Sequence, residues 1–172
     1  MPPREPTRIG MEAVAVMSGS ALSGAMLCLS AISVPVFLDT NTDSGHLVRQ
    51  WARTYHYGHI ILPALCIATC GLYAYIGLNK RAVRGKGWRT CAAAGVATIA
   101  MVPFTWLIMT PTNNTLFQLE AASVSASEPP ADLNAVRELV VRWSWLHATR
   151  SLFPLVGALV GFGELLHDLS ML

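Results

Sequence analysis

Trp143, His147, Arg150 and Pro154 recur at i, i+4, i+7 and i+11, a spacing that lines them along one face of an α-helix. An imidazole takes and returns a proton near neutral pH. A guanidinium keeps its charge and donates to oxyanions as they form. Together they suit proton abstraction with stabilisation of the anion left behind. Their setting makes the pair unusual. Only 13 uncharged residues follow Arg150, so a helix of spanning length must take in both Arg150 and His147. At a rise of ~1.5 Å per residue, Arg150 lies about 10 Å along the axis from Trp143. A charge at such depth faces a bundle interior or a wet cavity, or it snorkels to carbonyls and headgroups. In the first case a bound anion is its natural partner, since the three preceding apolar runs hold no Asp or Glu.

A second group lies in "PFTWLIMTPTNNTL", residues 103–116. Its two prolines are expected to interrupt a helix and free carbonyls. Thr105, Met109 and Thr112 share a face leading to Asn113 and Asn114, amides at the hydrocarbon edge, where an unsatisfied polar group is costly. The stretch reads equally well as a turn that caps the helix. A third group opens "WARTYHYGHIILPALC", where Tyr55, His59 and Cys66 share a face; His59 is either an interfacial histidine or part of the same site.

These residues need elements to hold them, and the composition supplies four. The chain has 172 residues, 53% apolar and only 13% charged, against about a quarter charged in soluble domains. Residues 13–38, 57–79 and 90–119 contain no Lys, Arg, Asp or Glu, and each exceeds the ~20 residues that cross hydrocarbon. With the C-terminal helix this predicts an all-α, multi-pass membrane protein, a four-transmembrane-helix bundle forming one domain. The helices are expected at about 12–38, 56–79, 88–110 and 132–167. The first run is too long for a cleaved signal peptide. Arg4, Arg8, Lys80, Arg81, Arg84, Lys86 and Arg89 fall on one side and Arg49, Arg53, Arg137 and Arg142 on the other. The positive-inside rule then places both termini and loop 80–87 in the cytosol, and loops 39–55 and 111–131 outside it. Gly19/Ser23 and Ser20/Gly24 are small-xxx-small pairs suited to close helix packing. In the second loop "SVSASEPPAD" is a breaker, and Asp132 is placed to cap the last helix.

Other classes are disfavoured. No basic stripe with interleaved aromatics points to nucleic acid. The four cysteines form no CxxC and no zinc-finger spacing, so no metal site is expected. There is no visible inverted repeat of the transporter kind. Under the orientation above, His59, Asn113, Asn114, Trp143, His147 and Arg150 come from three helices to the same non-cytosolic half, which predicts a pocket.

The motifs Pro103-Phe-Thr, Pro111-Thr-Asn and Trp143-x3-His147-x2-Arg150 resemble those of the anthrone oxygenase family, small four-helix membrane proteins of fungal polyketide pathways; the likeness runs from the first helix to about Gly163. It implies conversion of an anthrone such as emodin anthrone and O2 to the anthraquinone and water, without flavin, haem or metal, O2 being the co-substrate. On that reading His147 is the base, with His59 the alternative or a relay. Arg150 stabilises the enolate. Asn113 hydrogen-bonds the carbonyl oxygen, assisted by Asn114 or Thr105, and Trp106 and Trp143 flank the tricycle, with Met109 and Tyr55 in the wall. The expected partners are a small aromatic polyketide and membrane lipid, and the expected membrane is the endoplasmic reticulum or another endomembrane. A homo-oligomer and an assembly with other pathway enzymes are both compatible with the sequence. Two alternatives stand beside the enzyme: a non-catalytic carrier of a hydrophobic polyketide, and a metal oxidase in which His59 and His147 meet.

Overall fold

The computed structural model describes residues 5–83, 87–125 and 131–171; Arg4, Arg84, Lys86 and the centre of the Ser/Pro breaker lie outside them. Four helices, α1 (Arg8–Thr40), α2 (Ser44–Ala82), α3 (Trp88–Val124) and α4 (Leu133–Ser170), are each long and apolar enough to cross a membrane. Among the described residues there is no strand. Met17, Ile32, Leu78, Leu107 and Leu159 turn outward, 60–76% exposed, as side chains facing lipid do.

The helices are longer than hydropathy alone suggests, because capping residues set their ends. Asp43 Oδ1 accepts from the His46 N–H at 2.7 Å, so α2 starts at Ser44 rather than near residue 56. Asp132 Oδ2 accepts from the Asn134 N–H at 3.0 Å and caps α4 as expected. α3 continues through Pro111–Asn114, which replaces the turn and loop expected from residue 111 onward. Lys80 belongs to α2 and is buried, so the second loop is shorter than 80–87.

Two helices carry a π-turn, α1 at Leu29–Ser33 and α3 at Thr105–Met109. Each lies just ahead of a proline, Pro35 and Pro111. Proline offers no N–H to the carbonyl four residues back, and its ring collides with that carbonyl. Here the carbonyl belongs to Ala31 or Leu107, inside the widened turn, where an i→i+5 bond swings the backbone aside. The bond that closes each turn comes from the residue before the proline: Val34 N–H to Leu29 O, and Thr110 N–H to Thr105 O.

The chain forms two compact units. Unit 1 comprises residues 1–24, 63–102 and 151–172, and unit 2 residues 25–62 and 103–150.

Unit 1 is built on small residues and a buried ion cluster. Its core contains Ala15, Tyr73, Ile76, Cys91 and Ala94. A Cβ on Gly157 would collide with Thr98 Oγ1, and one on Gly161 with the Tyr73 ring, so α4 meets α2 and α3 at glycine distance. Of the two small-residue pairs in α1, Gly19 and Ser23 face α4: a Gly19 Cβ would lie 3.3 Å from Ala158 Cβ, and Ser23 Oγ donates to Ser151 O at 2.9 Å. Ser20 and Gly24 face outward. Lys80 Nζ contacts Glu12 at 2.9 Å, Asp168 at 3.0 Å and also Glu164, and Arg8 reaches Asp168 at 3.1 Å.

Unit 2 is aromatic. Its core contains Val34, Leu47, Val48, Trp51, Met109, Leu116, Val136, Val140 and Trp143. Arg137 Nη2 donates to Leu38 O at 3.3 Å and Asn41 O at 3.2 Å, tying α4 to the last carbonyls of α1.

Candidate functional site

The ten site residues expected from sequence all belong to unit 2, and the structure sorts them into three groups. The first surrounds α4, whose Trp143, His147 and Arg150 are all buried. Burial of Arg150 at 8% exposure sets the snorkelling reading aside. Trp143 stacks on His147 with ring centroids 4.7 Å apart and an interplanar angle of 27°.

Each polar residue of this group meets a hydroxyl from one of the two π-turns. Ser30 Oγ lies 3.1 Å from His147 Nδ1 and 3.4 Å from Met26 O. Arg150 Nη1 donates to Thr105 Oγ1 at 3.1 Å. With the Ser30 hydroxyl proton given to the Met26 carbonyl, Ser30 Oγ accepts from His147 Nδ1–H and Nε2 keeps its lone pair. Ser144 Oγ donates to Ser30 O at 3.2 Å, further fixing the π-turn of α1 against α4.

Asn113 and Asn114 separate cleanly. Asn113 is buried beside Met109 and Thr112 on the inner face of α3, whereas Asn114 is exposed. Asn113 Oδ1 and the indole N–H groups of Trp51 and Trp143 are buried without a hydrogen-bond partner. Such groups cost on the order of 1–3 kcal/mol each if left unsatisfied. The two donors lie in the aromatic core and the acceptor on the inner face of α3, groups that an oxygen acceptor and a hydroxyl respectively would satisfy.

The second group borders a cavity of about 520 Å³ lined by Tyr55, His59, Phe117, Arg49, Arg53 and Glu120, among others. Tyr55 stacks on His59 at 5.5 Å and 10°. His59 Nδ1 lies 3.2 Å from Tyr55 O and 2.7 Å from His56 O. Both neighbours are acceptors, so Nδ1 carries the proton and Nε2 is again the basic nitrogen. Tyr55 touches Trp51 at 5.5 Å, and Trp51 meets Trp143 edge-on at 5.9 Å. An unbroken aromatic series thus leads from the cavity wall to His147. Phe117 packs its edge on Trp51 and Tyr55, both at 5.0 Å.

The third group is apart from both. Trp106 is 72% exposed and, with Asn114, stands on the outer face of α3. It does not flank the other residues. Among the described residues, no three of His, Cys, Asp and Glu come together as metal ligands do.

Ser30, Ser144, Trp51 and Phe117 did not emerge from the sequence. Pro35 was the available signal for Ser30, because a proline within an apolar run predicts a distorted turn just before it. Trp51 was hidden in a segment expected to be loop.

Four helices long and apolar enough to cross a membrane, with an imidazole and a guanidinium buried among them and each in contact with a hydroxyl, define a multi-pass membrane protein with polar groups at membrane depth. Residues 51–160 match the family model described as anthrone oxygenase. The chain is 53% identical over 170 residues to the anthrone oxygenase dmxR16 of Cryptosporiopsis sp. (strain 8999), covering 96% of this chain and 94% of that protein. It is 54% identical to the anthrone oxygenase nsrD of Aspergillus novofumigatus (strain IBT 16806), covering 92% and 95%. It is 50% identical to the anthrone oxygenase AgnL2 of Paecilomyces divaricatus, covering 87% and 92%. The chain belongs to the anthrone oxygenase family, and with it to the oxygenases. That membership sets the carrier alternative aside. No solved structure matches it.

Proposed function

We propose that this protein converts a phenolic anthrone of the emodin anthrone kind and O2 to the anthraquinone and water, using no cofactor. The observation that carries the reading is the pairing of His147 and Arg150 on one buried face, each held by a π-turn hydroxyl. An anthrone has a doubly benzylic CH2 opposite its carbonyl. His147 Nε2 removes one of the CH2 protons, and the electron pair moves onto the carbonyl oxygen. The guanidinium of Arg150 stabilises that enolate, and Asn113 Oδ1 accepts from a ring hydroxyl. The carbanion carbon then bonds to O2, and the resulting peroxide takes its proton back from His147. Loss of the second C–H proton with cleavage of the O–O bond leaves the new carbonyl and releases water. Both hydrogens of the CH2 end in that water, and the electrons balance without an outside reductant. Exclusion of bulk water by Trp51, Trp143 and Met109 keeps the carbanion for O2.

The cavity beside Tyr55 and His59 serves as the approach for the flat substrate, which stacks along the aromatic series. Its position favours a second assignment in which His59 is the base. The membrane is that of the endoplasmic reticulum or a related endomembrane, with both termini in the cytosol. The test uses membranes bearing wild type, His147→Ala or His59→Ala. Each is given emodin anthrone under air with a chelator and no reductant, and quinone formation is timed against empty membranes. Acceleration lost only in His147→Ala supports the main reading. Loss only in His59→Ala moves the base to the cavity. Acceleration abolished by the chelator overturns the cofactor-free chemistry.

A further inference from the structure

Unit 1 contains a second cavity that the oxygenation chemistry does not use. It is a groove of about 340 Å³ between α2 and α3. Ala74, Gly77 and Leu78 of α2 and Ala92, Gly95, Val96 and Ile99 of α3 line it. The helices come this close because both present small residues: a Cβ on Gly77 would sit 3.4 Å from Cys91 Cβ, and one on Gly95 3.4 Å from Tyr73 Cβ. From Trp88 to Ile99 the groove runs about 16 Å at ~1.5 Å per residue. It is narrow, apolar and open along the lipid-facing side, where Leu78 and Val96 are exposed.

One end of the groove is charged. Arg81 and Trp88 line it there. The Arg81 guanidinium lies 5.2 Å from the centre of the Trp88 ring, and the Arg89 guanidinium lies 5.5 Å from the centre of the same ring. Two cations on one indole repel each other, and the described residues provide neither with a carboxylate. The neighbouring Lys80 shows the contrast. It turns inward, and Glu12, Glu164 and Asp168 surround it. Arg81 and Arg89 are both exposed and open to an anion from outside the chain. A tryptophan at the same level is the side chain that settles at the headgroup boundary of a bilayer.

We propose that this groove is a binding site for an anionic phospholipid, with one acyl chain along Ala74, Gly77, Ala92 and Gly95 and the phosphate at the Arg81 end, where Arg89 flanks the same indole. Basic pockets between transmembrane helices take acidic headgroups in this way. The apolar groove alone would accept any acyl chain; the positive charge at its Trp88 end selects the negative headgroup.

The test measures the thermal midpoint of the full-length protein, purified in a mild detergent, with added phosphatidylserine, phosphatidylcholine of the same chains, or inorganic phosphate. At a hundredfold excess over the dissociation constant, phosphatidylserine is expected to raise the midpoint by at least about 5 °C, and phosphatidylcholine and phosphate by under about 1 °C. Arg81→Gln/Arg89→Gln brings the phosphatidylserine shift down to the phosphatidylcholine level. Ala92→Phe, which fills the groove and leaves both charges in place, abolishes it too and keeps the test available if the double variant fails to fold. Equal shifts with the two lipids overturn the headgroup assignment. A full shift with phosphate alone, or an undiminished shift in Ala92→Phe, overturns the acyl-chain assignment.

Discussion

The two units handle buried charge in opposite ways. In unit 1, Lys80 is met by three carboxylates. Attraction in a low-dielectric interior offsets desolvation there, and the residues on both sides are spent on each other. In unit 2, His147 and Arg150 meet the neutral hydroxyls of Ser30 and Thr105. A hydroxyl orients an imidazole or guanidinium without cancelling what it can do for a substrate. The ion cluster holds α1, α2 and α4 together. The proton removal and anion stabilisation proposed above use the second arrangement.

Substitutions can break this contrast. The largest effect is expected from His147→Ala, which should slow quinone formation by about 10²–10⁴-fold above the spontaneous rate, with the helix content of the purified protein unchanged by circular dichroism. Arg150→Gln should cost about 10²–10³-fold if the guanidinium stabilises the enolate. Lys80→Met should do the reverse of both. Removing the hub strands Glu12 and Glu164, while Asp168 keeps Arg8, at about 3–5 kcal/mol of stability, with turnover per folded molecule staying near wild type. Chemical denaturation in detergent micelles, paired with an activity assay, separates the two quantities. Loss of turnover at full stability in Lys80→Met would show that the units are not divided as described.

Smaller changes sharpen the comparison. Ser30→Ala and Thr105→Val each remove one orienting hydroxyl and should lower kcat about tenfold, the effect of a displaced catalytic group, with KM nearly constant. The smallest effects belong to the outward residues. Asn114→Ala and Trp106→Ala should change turnover less than about twofold, whereas Asn113→Ala should lower it about tenfold or more. Parallel rate measurements on the three variants test that order.

Much of this was legible in sequence. Three uncharged runs and a fourth that takes in Arg150 fix four spans, because lipid tolerates no alternative for that much apolar backbone. The inward face of α4 followed from the spacing of Trp143, His147 and Arg150. Hydropathy misplaced the helix ends, because polar residues such as Arg49, Arg53 and Glu120 keep helical geometry outside the apolar runs. The doubled amide at 113 and 114 could not be resolved, since the π-turn changes which of the two faces inward. Lys80, Glu12 and Glu164 each sit at the edge of a run and read singly as solvated flanks. Their meeting is tertiary information. So is the Ser30–His147 contact, which joins residues 117 positions apart.

The two π-turns also act as phase shifters. An α-helix advances about 100° per residue, and a turn that accommodates one extra residue passes that angle to everything downstream. On α3 the segment after Met109 is therefore clocked about 100° from where an uninterrupted helix would carry it. Relaxing that turn to the ordinary winding with no residue removed, as Pro111→Ala would allow, would rotate Thr112, Asn113 and Leu116 together away from the aromatic core. The composition of the site would be untouched and every one of those side chains would point elsewhere. Relaxing the π-turn ahead of either proline is a change of address for a whole helix face.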